Sequence, residues 1–446
     1  MVGILNMVSS IGGLGAGRLA DVVGRLRAVA ISCAVCVLGA ILMATAGRYE
    51  VLVAGRVVTG VGVGASFSIC PLYLSETTPA AGRGKLVSFF DLMINVGILL
   101  GFIVGWLLTD FGGWRLMLGL GTVPAAIILV FVCSGTIPES PRWLMQMGRV
   151  EEADTALQLL LEPEEARSAM EELQRVDAEA AQQQAAGEDA EATGLRAVLC
   201  PAPMLRRTVL CALAVAFCQQ CTGIEAAVYY TPEVLESVGI RDENWLLLAT
   251  VGVGVVKVAF IVVAASFVDE CGRVPLLVLS NLGIALSHGL LALNFACGGV
   301  IWLAVLAQCL FMASFSIGAG PCSMMVAAEL LPRHLRASGL GVAAFINRVT
   351  SGSVALSFLS LQSALTPAGA FTMFCAIALG AAAFVGTAVP ETGGQTLEQI
   401  ELAALGKTTS SSLELSDEGE KGSAGPGMGA AAGGLDSGLL GAHSRP

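Results

Sequence analysis

Long apolar stretches, each about as long as a lipid bilayer is thick, alternate with short polar loops along most of this chain. Windows of about 20 apolar residues define eleven predicted membrane-spanning helices in the 446 residues. Their approximate limits are 2–17, 28–46, 51–73, 86–108, 114–135, 207–230, 246–268, 274–296, 300–325, 337–361 and 367–389. This pattern predicts an all-α membrane protein that crosses the bilayer many times.

Two polar segments interrupt this pattern. We expect residues 145–206, rich in Glu, Gln and Ala, to form a cytoplasmic insert of short amphipathic helices. The insert would separate an N-terminal bundle at 1–144 from a C-terminal six-helix bundle at 207–406. Residues 407–446 consist largely of Gly, Ser and Ala with scattered acids, a composition that predicts a disordered tail.

Basic residues are concentrated in alternate loops, which predicts the orientation. The loops after the first, third, fifth, seventh and ninth spans hold Arg18, Arg25, Arg27, Arg83, Lys85, Arg142, Arg149, Arg273, Arg333 and Arg336. The other loops hold only Arg48, Arg115 and Arg241. By the positive-inside rule the first set of loops is cytoplasmic. The C-terminus is then inside the cell and Met1 outside.

Three cytoplasmic motifs occur twice along the chain. GRLADVVGR at 17–25 is echoed by VDECGR at 268–273, ETTPAAGRG at 76–84 by ELLPRHLRA at 329–337, and PESPRWL at 138–144 by PETGGQTL at 390–397. Their acidic residues lie 248, 253 and 252 residues apart. One shared offset indicates a duplicated bundle with parallel halves. Five predicted spans fall in the first half and six in the second.

Composition excludes several classes of protein. Only 13% of residues are charged, whereas soluble domains have about 25%. Most of the thirteen cysteines lie in apolar spans, including the CxxC pairs at 33–36 and 218–221, so we interpret them as packing residues and expect no metal site. No nucleophile–base arrangement or phosphate-binding loop is apparent, so we do not expect an enzyme.

A cluster of polar residues lies within the predicted sixth span. The stretch CQQCTGIEAAVYYTP at 218–232 contains two amides, a carboxylate and two tyrosines. Polar groups at membrane depth are costly unless they face partners or a water-filled cavity. We interpret the cluster as the wall of a small-molecule site; the alternative is bonding to neighbouring helices. In an unbroken helix Glu225 would lie about 140° from Gln220, so we expect a helix break at Thr222–Gly223.

A second polar cluster lies in the predicted fourth span. Asp91 is an acid at membrane depth, and Asn95 follows one turn later on the same helical face. In the seventh span, Lys257 is a candidate structural partner for such charges.

The motifs in combination resemble the sugar porter family of the major facilitator superfamily over residues 1–405. The stretches that carry the resemblance are GRLADVVGR, PESPRWL, QQCTGIEAAVYY, DECGR, GPCSMMVAAELLPRHLR and VPETGG. VGILN at 2–6, INVGILLG at 94–101, GIEAAVYYTPEVLESVGI at 223–240 and NRVTSG at 347–352 look most like the plant-type polyol/monosaccharide transporters. The resemblance implies the major facilitator fold, with cargo bound at the midplane between the two halves.

The resemblance also implies which residues bind cargo. Glu225 stands where most members carry asparagine, although the polyol group often has an acid there, and Asp91 matches a position that is usually glutamine. Ile98 replaces a second glutamine found in many hexose carriers. Met324 and Arg348 each replace a tryptophan seen in hexose carriers, which weakens the expectation of sugar stacking. The implied substrate-binding residues are Gln219, Gln220, Glu225, Tyr229, Asp91, Asn95 and Asn347.

Charged residues at the cytoplasmic helix ends form a candidate gate. In the family such residues pair across the halves when the inner side is closed; the alternative is ordinary topology-setting charge. The gate residues implied by the repeated motifs are Asp21, Arg25, Glu76, Arg83, Glu139, Arg142, Asp269, Arg273, Glu329, Arg336 and Glu391.

Arg56 lies about two turns inside the third predicted span, where a lone arginine is expensive. In proton-coupled members the matching arginine works with an aspartate on the first helix, and neither that helix nor that aspartate is found in this sequence. We expect an incomplete sequence rather than a loss of coupling. The candidate proton-coupling residues are Arg56, Glu225 and Asp91.

These observations predict a carrier that moves a polyol or monosaccharide by alternating access, with proton symport in the complete protein. The alternatives are a facilitative uniporter and a non-transporting sugar sensor or inactive fragment. We expect a small-molecule cargo and the lipid bilayer as partners, no nucleic acid, no cofactor beyond a coupling proton, and a functional monomer. We expect the plasma membrane rather than the vacuolar membrane.

Overall fold

A series of helices joined by short loops makes up the described chain. The structure is a computed structural model that describes residues 2–78, 83–109, 113–185, 195–201 and 203–392. The helices are α1 (Val2–Val23), α2 (Arg25–Ala44), α3 (Tyr49–Thr77), α4 (Arg83–Leu107), α5 (Trp114–Leu120), α6 (Thr122–Cys133), α7 (Pro141–Gln146), α8 (Val150–Leu160), α9 (Pro163–Ala185), α10 (Leu195–Leu199), α11 (Pro203–Cys221), α12 (Ile224–Tyr229), α13 (Thr231–Ser237), α14 (Glu243–Cys271), α15 (Arg273–Ala296), α16 (Ile301–Ser314), a π-helical turn (Phe315–Ala319), α17 (Gly320–Leu330) and α18 (Arg333–Ala388). A helix satisfies its backbone groups internally, as a bilayer requires.

Helices cover each of the predicted spans, although several of the helices are subdivided. In the described part of the chain, nine helices are long and apolar enough to cross a membrane. The longest, α18, has a non-helical residue at Thr366, just before Pro367, and therefore has two arms. These arms match the predicted spans 337–361 and 367–389. The total of eleven spans stays a prediction, as does the division into domains.

Close backbone contacts hold the first half, α1–α6, together. A Cβ atom on Gly64 of α3 would collide with the Ser9 carbonyl of α1, and one on Gly12 would collide with the Val61 carbonyl. Apolar packing drives no association between helices that already lie in lipid, so contact at small residues supplies the attraction.

The second half, α11–α18, contacts the first half at several places, and two of these contacts involve glycines. A Cβ atom on Gly3 of α1 would lie 2.6 Å from the Gly352 carbonyl oxygen of α18. On the other flank, a Cβ atom on Gly254 of α14 would lie 3.1 Å from atoms of both Leu99 and Phe102 of α4. Both contacts lie toward the helix ends that the positive-inside rule places outside. The halves are thus in contact on their outer side.

Helix α7, where the predicted insert begins, packs against both α8 and the first half. Trp143 and Leu144 of α7 are buried against Ala153 and Ala156 of α8. The Trp143 indole N–H donates to the Asp21 carbonyl at 2.8 Å, which joins α7 to the end of α1. The predicted tail at 407–446 lies outside the described residues.

We predict that Gly64→Ala destabilises the protein, because its methyl group has no room against the Ser9 carbonyl. Overpacking of this kind costs about 1–3 kcal/mol. The measurement is the unfolding temperature of the detergent-solubilised protein. The control is Gly105→Ala on α4, where an added Cβ atom meets nothing within 4 Å. Equal unfolding temperatures for the two variants would contradict this packing.

Candidate substrate site

A helix break at membrane depth shapes the centre of the site. Gly223 separates α11 from α12 and has a left-handed backbone, with φ of 87° and ψ of 20°. This conformation is readily available to glycine and costly for most other residues. The break predicted at Thr222–Gly223 is therefore confirmed. It allows Glu225 on α12 to turn relative to the amides that end α11.

Two glutamines and an asparagine form a buried amide network. Asn347 Nδ2 on α18 donates to Gln219 Oε1 at 2.7 Å, and Gln220 Nε2 donates to Asn347 Oδ1 at 3.2 Å. Gln219 Nε2 also donates to the Ala319 carbonyl at 2.8 Å. These three predicted site residues thus lie together, where α11, α18 and the end of the π-helical turn meet.

One acceptor of this network is left open. Gln220 Oε1 is buried and has no hydrogen-bond partner among the described residues. A buried acceptor without a partner is costly, and a cargo hydroxyl could donate to it. Bonding between helices, the alternative interpretation of the cluster, therefore accounts for most of these amide groups but not for this oxygen.

Acidic and basic side chains form a second polar group. Lys257 of α14 is buried, and its charge interacts with those of Glu225 and Asp91. The positive charge of Arg348 also interacts with Asp91. The two acids come from different halves, so the charge of Lys257 interacts with a carboxylate of α4 and with one of α12. The role of Lys257 as a structural partner of these charges stays a prediction.

Not every predicted residue presents its polar group to the centre. Asn95 Nδ2 donates to the Asp91 backbone carbonyl at 2.8 Å, one turn back on α4.

Arg348, beside Asn347, lies over the ring of Phe67 of α3, with its Cζ 4.0 Å from the ring centroid. This cation–π contact joins the two halves.

Asn6 is a candidate site residue that sequence reasoning did not single out. Its Nδ2 on α1 donates to Ser351 Oγ of α18 at 2.9 Å and lies 3.4 Å from the Tyr229 hydroxyl of α12. Asn6 is buried, so both contacts are shielded from water. The available signal was a lone amide in an apolar span. Through Asn6, the predicted site residue Tyr229 is bonded to the opposite half.

Arg56 of α3, a predicted coupling residue, lies near Tyr229. Its Nε is buried and has no hydrogen-bond partner among the described residues. The structure thus places Arg56 near the site.

The repeated cytoplasmic motifs form equivalent networks in the two halves. In the first half Arg25 Nε donates to Glu76 Oε2 at 2.9 Å, and Glu139 accepts from the Leu26 amide at 2.9 Å. Arg25 also pairs with Asp21 at 3.0 Å. Each acid therefore has a defined partner at the start of α2.

In the second half Arg273 Nε lies 3.7 Å from Glu329 Oε1, and Glu391 accepts from the Arg273 and Val274 amides at 2.9 and 3.0 Å. Arg336 donates to the Leu331 carbonyl at 3.2 Å. These residues occupy positions equivalent to those of the first half.

These contacts join residues within one half. The expected pairing across the halves, which the resemblance assigns to an inner-closed state, stays a prediction. Arg142 is exposed. The side chains of Arg83 and Asp269 lie outside the described residues.

Two helical halves with equivalent charge networks, a buried amide network and acids drawn from both halves define a membrane transporter of the major facilitator class. The family model described as "Sugar (and other) transporter" matches residues 1–404, and the chain belongs to this family. The resemblance, the fold class and the multi-pass membrane topology inferred from the sequence are thereby confirmed.

Individual relatives agree with this assignment. "Probable polyol transporter 4" of Arabidopsis thaliana is 40% identical over 414 residues, which are 91% of this chain and 77% of that protein. The inward open conformation of the xylose transporter XylE from E. coli matches with a TM-score of 0.76 at 26% identity, covering 90% of this chain and 88% of that one. The proton:xylose symporter XylE bound to 6-bromo-6-deoxy-D-glucose matches with a TM-score of 0.72 at 26% identity, covering 90% and 87%. Likeness to an inward open structure fits the outer contact between the halves.

We predict that Asn6→Leu weakens the outer contact, because leucine keeps the volume but removes both hydrogen bonds to the second half. A hydrogen bond contributes about 1 kcal/mol, roughly a fivefold change in population. Hydrogen–deuterium exchange should become faster at the start of α1 and in the part of α18 around Ser351.

The matched control is Ser10→Ala, which removes a bond from Ser10 Oγ to the Met7 carbonyl within α1. Unchanged exchange in Asn6→Leu, or an equal change in Ser10→Ala, would show that Asn6 does not hold the halves together.

Proposed function

We propose that this transporter carries a polyol or monosaccharide by alternating access and couples its movement to a proton. The observation that carries the proposal is the amide network with the open acceptor Gln220 Oε1, together with the acids Glu225 and Asp91, whose charges interact with Lys257. Cargo hydroxyls both donate and accept hydrogen bonds, so amides and carboxylates suit them together. The named cargo of the relatives, polyol and xylose, supports the same class.

The charge arrangement supports proton coupling. Asp91 belongs to the first half, while Glu225 and Lys257 belong to the second. Taking up a proton on Asp91 removes its attraction to Lys257 across the halves, and this biases the separation of the halves. Arg56 beside Tyr229 is a further coupling candidate, and the XylE relative is described as a proton symporter.

Several further properties belong to the same proposal. The transporter acts as a monomer at the plasma membrane and needs no cofactor beyond the coupling proton. Opening and closing at the inner side uses the repeated cytoplasmic charges, from Asp21 to Glu391, which pair across the halves when that side closes.

Transport assays in a transporter-deficient host test the proposal. We expect uptake of at least one of labelled sorbitol, inositol and glucose, accompanied by cargo-dependent proton entry and abolished by a protonophore. Uptake that is independent of pH and protonophore would indicate a uniporter. Cargo binding without flux would indicate a sensor, and neither binding nor flux would indicate that this chain is inactive.

Asp91→Asn is predicted to separate transport from coupling, because the amide keeps the shape but cannot take up a proton. We expect exchange of labelled for unlabelled cargo to continue, while accumulation against a gradient is lost. Glu236→Gln on α13, an exposed acid, is the matched removal of a carboxylate. Accumulation at the wild-type level in Asp91→Asn would rule out Asp91 as a coupling residue.

Glu225→Asn is predicted to shift cargo preference from polyols toward cyclic hexoses, since asparagine is the residue that most family members carry there. The measurement is the ratio of kcat/KM for sorbitol to that for glucose, with Glu236→Gln as the control. An unchanged ratio would remove Glu225 from the specificity-determining residues.

A further inference from the structure

The helix break between α11 and α12 leaves the Thr222 carbonyl without its usual hydrogen-bond donor. In a continuous helix the Thr222 carbonyl would accept from the amide four residues later. Here the left-handed Gly223 interrupts that geometry, and Thr222 is fully buried at membrane depth. Without water nearby, its carbonyl needs another donor.

His288 of α15 supplies that donor. Its Nε2 lies 2.9 Å from the Thr222 oxygen. A carbonyl only accepts hydrogen bonds, so Nε2 carries the proton and Nδ1 does not need one. Nδ1 has no hydrogen-bond partner among the described residues. The imidazole is therefore used for this single bond to the break.

The ring of His288 is held by an aromatic cage of Phe311, Phe371 and Phe374. The ring centroids lie 4.9, 5.8 and 5.6 Å from that of the imidazole, respectively. The side chain is 1% exposed. Close packing on several sides fixes the ring orientation, and with it the direction of its N–H.

The same cage contacts the other residue of the break. A Cβ atom added to Gly223 would lie 3.0 Å from Phe374 Cδ1. Two neighbouring carbonyls are satisfied locally, because Thr222 Oγ1 donates to Gln219 O at 2.8 Å and the Gly223 amide donates to Gln220 O at 3.1 Å. The Thr222 carbonyl, by contrast, takes its donor from a separate helix.

We infer that His288 is a positioning residue for the cargo site, which acts by fixing the break that orients Glu225 relative to Gln219 and Gln220. The bond sets the direction in which α12 leaves α11. The amides precede the break and the acid follows it, so that direction decides whether they face one cargo molecule together. The inference rests on the proposed function, because its main readout is cargo recognition.

The test compares His288→Leu with His288→Gln in the full chain. Leucine removes the donor and leaves the Thr222 carbonyl buried without one, whereas a glutamine Nε2 can still reach it. We expect KM for the transported cargo to rise about tenfold in His288→Leu, the size typical of a buried group that loses its partner. The maximal rate per molecule in the membrane should change less, and His288→Gln should restore most of the affinity.

Ser287→Ala is the matched control. Ser287 is also buried on α15, and its Oγ donates to the Ala307 carbonyl of α16 at 2.7 Å, away from the break. It should alter stability without altering KM. If His288→Leu keeps the wild-type KM, or if Ser287→Ala raises KM equally, His288 has only a structural role and the inference is wrong.

Two further arms cover the remaining outcomes. If His288→Leu does not reach the membrane, His288→Asn, whose amide is shorter, should show a higher KM than His288→Gln, and equal values would overturn the inference. If the wild type moves none of the three cargoes, the proposed function fails. The inference is then decided by hydrogen–deuterium exchange over residues 219–229, which should be faster in His288→Leu than in wild type but close to wild type in His288→Gln and Ser287→Ala; equal exchange in all variants would overturn it.

Discussion

Every backbone and side-chain polar group at membrane depth needs a partner inside the protein, and this constraint organises the structure. Regular helices meet it along most of their length. One interruption lies between α11 and α12, where Gly223 breaks the series of helical hydrogen bonds. There the Thr222 carbonyl accepts a hydrogen bond from His288 of another helix. The same interruption separates the site amides from Glu225. The polar centre of the transporter is thus possible only because neighbouring helices supply the missing donors.

The sequence was most informative where the relevant signal is local. Runs of apolar residues predicted the membrane helices, the shared offset of the cytoplasmic motifs predicted the duplication, and the helical angle between Gln220 and Glu225 predicted the break. Each of these depends on residues close together in the chain or on direct repetition. Subdivision of helices, as at Thr366 in α18, was less visible because an apolar window continues through it.

Features that depend on distant partners were not predictable in this way. Asn6 bonds to residues 223 and 345 positions away, and nothing in its neighbourhood specifies them. In the sequence, His288 is only one polar residue in an apolar helix. Its role becomes visible when the structure shows α11 and the phenylalanine cage around it. The polar residues of the candidate substrate site were partly predictable. Its residue types were apparent, yet the structure was needed to show that Asn347 bonds to Gln219 and that Gln220 Oε1 stays open.

The contact between Arg348 and Phe67 has a consequence for how acidity acts on this protein. A carboxylate loses its attraction for a cation when it is protonated, but an aromatic ring has no proton to gain or lose in the physiological range. The guanidinium likewise keeps its charge. This link between α18 and α3 therefore has nearly constant strength whatever the acidity on either side of the membrane. The proton gradient therefore does not change the strength of this contact between the halves, and it can act only on contacts made by groups that gain or lose a proton.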